Sequence, residues 1–141
     1  MRRWLVTRLL TETIALTATI VLAACGSTTA PSGPVDRQVA VSAGQTTSVA
    51  DAGVSITFEG VQGDSRCPGD AICVTGGDAT VRLKVDGLGT VAMHELHTGD
   101  TRISARHETL TISLVDLQPY PFGSRPPISP SDYRVTLRLV R

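Results

Sequence analysis

The chain has 141 residues, with 13 basic and 13 acidic side chains, 41% apolar residues and only 4% aromatic ones. That length suits one domain. Neither sign of charge dominates, so nothing argues for a nucleic-acid partner, and so few aromatic rings make a poor stacking platform for bases. Asparagine is absent, which excludes N-glycosylation.

At the N-terminus, Arg2, Arg3 and Arg8 precede a mostly apolar run from Leu9 to Ala24 that ends in small residues. A bilayer span needs ~20 apolar residues, and Glu12 interrupts this shorter run, so the segment reads as a signal peptide. Its last residues, Leu22-Ala23-Ala24-Cys25 followed by Gly26, resemble the lipobox of bacterial lipoprotein signal peptides. The resemblance implies removal of residues 1–24, lipid on the Cys25 thiol, and attachment to the extracytoplasmic face of a bacterial envelope membrane. Each buried lipid methylene contributes ~0.8 kcal/mol, so a diacyl anchor holds stably with no protein segment crossing the bilayer. With Cys25 assigned to lipid, Cys67 and Cys73 remain as a pair in an oxidising compartment, where a disulfide is expected. The chain without residues 1–24 carries 10 basic and 12 acidic side chains, a net charge of −2.

Residues 25–36, rich in Ser, Thr, Pro and Gly, read as the lipidated cysteine and a flexible tether. From residue 37 to 141 the apolar period is 2. Val39, Val41 and then Val49 suggest two short strands separated by Gly44-Gln45, and Val54, Ile56 and Phe58 alternate with polar neighbours. Ala79, Val81, Leu83 and Val85 make the clearest strand. Asp86-Gly87-Leu88-Gly89 then predicts a hairpin turn, with Thr90–His97 returning antiparallel. Thr101–Arg106 is a weaker pattern. Thr109–Leu117 alternates and then shifts phase at Val115 and Leu117, which suits a bulge or a strand end. Five prolines between Gln118 and Asp132 predict a long loop, and Tyr133–Leu139 closes the chain as a strand. Seven or eight short strands predict an all-β domain, an antiparallel β-sandwich with immunoglobulin-like layering, with a small β-barrel as the alternative.

Chemistry-bearing residues concentrate between Asp64 and Ala79. Cys67 and Cys73 enclose five residues, which is not a redox spacing and lacks further thiols for a zinc site. A staple that holds a loop between two strands is the simpler reading. Asp64, Asp70 and Asp78 sit among glycines without an EF-hand spacing, so turn chemistry fits them better than calcium. His94 and His97 form a His-x-x-His pair with His107 ten residues beyond, but residues three apart on a strand face opposite ways. These three are nonetheless the candidate metal ligands. No nucleophile elbow, zinc-protease helix or phosphate-binding glycine loop is present, so no catalytic residue and no cofactor is expected.

Asp64-Ser65-Arg66-Cys67-Pro68, the second cysteine and Gly77-Asp78-Ala79 resemble a family of small exported bacterial domains, often lipoproteins, with no established activity. Leu114–Pro121 and Ser129–Tyr133 carry the resemblance into the C-terminal half, so that it runs from about Gly44 to Val140. Members often have Trp two residues after the second cysteine, where this chain has Thr75. The resulting expectation is a lipid-anchored, non-catalytic module that binds an envelope protein or small ligand. The loops Ser65–Thr75 and Pro119–Pro130 are the expected contact surfaces, with Arg66, Asp70, Thr75, Tyr120 and Phe122 as contact residues. A metal- or small-ligand-binding lipoprotein using His94, His97 or His107 is the alternative.

Overall fold

The computed structural model describes residues 33–99 and 102–141. Cys25, the expected signal peptide and most of the expected tether lie outside the described residues. Eight strands follow in order: β1 (Asp36–Ser42), β2 (Thr46–Val49), β3 (Val54–Asp64), β4 (Ala79–Gly87), β5 (Thr90–His97), β6 (Ser104–His107), β7 (Leu110–Gln118) and β8 (Arg134–Val140). They form two four-stranded antiparallel sheets, ordered β1-β8-β7-β6 and β2-β3-β4-β5. The molecule is a β-sandwich. Each sheet keeps two free edges, so no barrel closes. The layering is the expected one, but the strand order departs from the immunoglobulin arrangement, in which successive strands repeatedly change sheet. Here β2–β5 and β6–β8 are unbroken meanders: short turns join β2 to β3, β4 to β5 and β6 to β7, and the longer cysteine and proline-rich loops join β3 to β4 and β7 to β8.

Alternation decides which side chains meet between the sheets. Ile56, Phe58, Val81, Leu83, Val85 and Leu96 from one sheet face Val41, Leu110, Ile112, Val135, Leu137 and Leu139 from the other, all buried. The β4–β5 hairpin turns on Leu88 and Gly89, with φ of 52° and 89°. A non-glycine residue in that region is strained, and Leu88 packs against the core from it. The phase shift at Val115 is a bulge: the β7–β8 register slips between Leu114 and Asp116, leaving Val115 exposed and Leu117 buried. β3 runs five residues past Glu59, through register shifts at Gly60 and Gly63.

Among the described residues, the first strand begins at Asp36, one residue before the expected domain start. Val35 is buried and exchanges both backbone hydrogen bonds with Arg141, and Asp36 opens β1 opposite Val140. This chain entry shares one end of the sandwich with the β2–β3, β4–β5 and β6–β7 turns, where Arg37 binds Asp51 and Thr90 binds Glu108. Ser42 pairs with Arg134 at the opposite end, where Asp64 meets Tyr133. The cysteine loop and the proline-rich loop both lie at that far end. β4, with nine residues, puts the two ends about 30 Å apart.

Candidate functional site

The loop between β3 and β4 continues their ladder beyond Asp64 and Ala79. Ser65 N–H donates to the Asp78 carbonyl (2.7 Å) and Cys67 N–H to the Gly76 carbonyl (2.9 Å). Gly77, at φ 67°, makes this approach possible, since a methyl group there would lie 1.8 Å from the Ser65 carbonyl oxygen. Above these rungs, Cys67 and Cys73 form a disulfide with Cα atoms 5.9 Å apart. The staple expected to hold a loop between two strands is therefore present, at the tip of an extended hairpin.

The two loops expected as separate surfaces are docked on each other. Gly123 and Ser124 N–H groups donate to the two carboxylate oxygens of Asp70, at 2.6 and 2.9 Å. Hydrogen bonding from the Ser124 side chain, with the Gly123 and Ser124 amides, lowers the Asp70 pKa to about 2. Gly69 N–H donates to the Pro121 carbonyl (2.9 Å), and the Phe122 ring covers Gly69 so closely that an added methyl would sit 3.0 Å from it. Arg125 lies over the same Phe122 ring, its guanidinium carbon 4.5 Å from the ring centre. Asp70 and Phe122 thus act between the loops, while Tyr120 and Thr75 remain exposed.

Arg66 does not behave as a surface contact. It is 8% exposed. Its Nε and Nη2 donate to Asp64 Oδ1 (2.9 Å) and Oδ2 (2.6 Å). Nη1 and Nη2 also donate to the Leu117 (2.7 Å) and Pro119 (3.0 Å) carbonyls. Tyr133 OH adds a hydrogen bond to Asp64 Oδ2 (3.0 Å), and the Tyr120 ring stacks 5.2 Å from the guanidinium carbon. Burial works against the Asp64 charge, yet the hydrogen bonds from Arg66 and Tyr133 hold its carboxyl below the ordinary value. Burial likewise opposes the Arg66 charge, and Asp64 more than offsets it. The short β6 covers β7 only as far as Ser113. Arg66 therefore occupies carbonyls near the end of β7 that β6 leaves unpaired, which guards that edge against strand addition. A cleft of about 170 Å³ remains beside it, rimmed by Ile103, Val115 and Tyr120.

The three aspartates of the loop serve three different neighbours. Asp64 holds Arg66, Asp70 holds the proline-rich loop, and Asp78 accepts from Gly99 N–H (2.8 Å), Thr98 Oγ1 (3.1 Å) and His97 Nδ1 (2.5 Å). Turn and loop chemistry accounts for all three. The histidines divide as strand parity requires. His97 faces Asp78, whereas His94 points between the sheets and meets His107 of β6, Nε2 to Nδ1 at 3.2 Å. Among the described residues, no three His, Cys, Asp or Glu side chains gather closely enough to hold a metal ion.

Two residues missed by the reading of the sequence dominate the far end. Ile72 and Val74 flank Cys73 and are fully exposed. Their signal was two aliphatic side chains in a glycine- and proline-bounded loop, where no strand face exists to bury them. Comparisons with protein-family models, with curated proteins and with solved structures return no match.

Proposed function

We propose that this protein is a lipid-anchored, non-catalytic module of the bacterial envelope, held by Cys25 and binding a partner through the joined Ser65–Thr75 and Pro119–Pro130 loops. The observation that carries the reading is the pair Ile72 and Val74. Their side chains stand wholly in water, on a loop fixed by a disulfide and by the Asp70 contacts to Gly123 and Ser124. Apolar side chains held rigidly in solvent lose little conformational freedom when a partner covers them, which favours binding.

Burying both would contribute roughly 3–6 kcal/mol before the costs of association. That is too little for a stable complex, which buries about 800 Å² per partner. Tyr120 and the rim of the cleft beside Arg66 add exposed apolar surface at the same end of the sandwich. The chain enters the sandwich at the other end, so a tether on Cys25 leaves the loops free to face away from the anchoring membrane. The partner is accordingly an envelope protein with an apolar recess.

Two experiments test the two halves of this reading. Replacing Cys25 with Ser should move the protein from the membrane to the soluble fraction, and an unchanged distribution contradicts the anchor. A photo-crosslinker at position 72 should capture one discrete partner in cells, while the same probe at position 108, at the chain-entry end, should not. Equal capture from both positions, or none from either, contradicts the contact surface.

A further inference from the structure

The seam between the free edges β5 and β6 is closed by two imidazoles. His107, 2% exposed, faces Gly87 O through Nε2 (3.2 Å) and Thr90 Oγ1 at 3.4 Å. A carbonyl only accepts, so His107 carries its proton on Nε2 and leaves Nδ1 as a bare lone pair. That lone pair lies 3.2 Å from His94 Nε2, with the rings at 85°. From these contacts we infer that His94 and His107 form a two-histidine chelate for a borderline transition-metal ion such as Zn²⁺, bridging the two sheets.

Three features carry the assignment. Zinc–imidazole bonds of ~2.0–2.1 Å at a tetrahedral angle put two nitrogens about 3.3 Å apart, close to the separation already present. Metal-ligating imidazoles characteristically donate their other N–H to a carbonyl or carboxylate, and His107 is fixed in this way by Gly87. Finally, the partly exposed His94 gives an ion a route to the buried His107 from solvent. Binding requires His94 to carry its proton on Nδ1 instead of Nε2, a tautomer change through water with no net proton released by the neutral pair. The remaining coordination positions fall to water or to an oxygen donor from a partner. His97 is no part of the chelate, because its Nδ1 faces Asp78. The assignment does not rest on the loop surface described above.

The test is a titration of the full chain, purified in detergent, with zinc chloride, followed by histidine ring NMR and calorimetry. One equivalent should move the His94 and His107 ring signals together and leave those of His97 in place. His94→Gln, whose amide can still donate to His107 Nδ1, should weaken binding by about tenfold or more, and His97→Asn should not. Unmoved His94 and His107 signals at millimolar zinc overturn the assignment, as does unchanged affinity in His94→Gln.

Discussion

Arg66 lays its guanidinium along the carboxylate of Asp64, two residues before it, while its outer nitrogens reach the Leu117 and Pro119 carbonyls more than fifty residues later in the chain. One side chain thereby ties the base of the disulfide hairpin to the start of the proline-rich loop. Both partners of the ion pair are largely removed from water. Losing one of them strands a buried charge, which costs more than the intact pair contributes.

Arg66→Ala should therefore lower stability by about 3 kcal/mol and detach the two loops from each other. Urea denaturation of parent and variant, with the exchange rates of the Gly123 and Ser124 amides, reads both effects. A variant as stable as the parent would show that the pair is replaceable by water.

Gly77 and Gly76 are adjacent but differ in what surrounds them. A side chain at Gly77 meets the Ser65 carbonyl and needs a positive φ, whereas nothing lies within 4 Å of a methyl at Gly76. Gly77→Ala should cost more than about 1 kcal/mol, and Gly76→Ala should fall within about 0.5 kcal/mol of the parent. Denaturant midpoints for the two variants make the comparison, and equal midpoints would refute the close crossing.

Closing a loop as short as that between Cys67 and Cys73 stabilises by about 2 kcal/mol in the chain-entropy model. Reduction should lower stability by this order without unfolding the sheets, whose contacts lie elsewhere. Intact mass should rise by two hydrogens on reduction. Free thiols before reduction would contradict the bond.

Acid should act in two separate windows. Burial, with the neighbouring His107, depresses the His94 pKa below 6.5. The unfolded chain then holds the extra proton, so the neutral His94 contributes stability that is full above pH 6.5 and declines as pH falls towards its folded value. Asp70 acts the opposite way in charge but the same way in direction. Its carboxylate contributes stability that is present above 3.8 and lost as pH falls to about 2. His94→Gln should remove the first decline and keep the second, as measured by urea midpoints across pH.

Local alternation made β4, β5 and β8 readable from the chain, and the bulge at Val115 showed as a phase shift because its neighbours Leu114 and Leu117 are both buried. Beyond Glu59 the pattern fails, since Gly60 and Gly63 shift the register and carry no side chain to reveal a face. Arg66 looked like a surface charge because its carbonyl partners, at Leu117 and Pro119, are remote in sequence and backbone acceptors have no sequence signature. The same distance hid the docking of Asp70 on Gly123 and Ser124. Tyr120 and Thr75 kept their expected exposure, whereas the apolar pair around Cys73 drew less notice than the charged and hydroxyl residues beside it.

Partner binding, as proposed, needs the two loops to present one contact surface centred on Ile72 and Val74. Its most direct measurement is in-cell photo-crosslinking from position 120, in the proline-rich loop, in the parent chain and in an Ile72→Ser/Val74→Ser chain. Position 120 should capture the same partner as position 72, with a yield that falls about tenfold or more when both aliphatic side chains are removed. A different partner, or a yield unaffected by the double substitution, would contradict it.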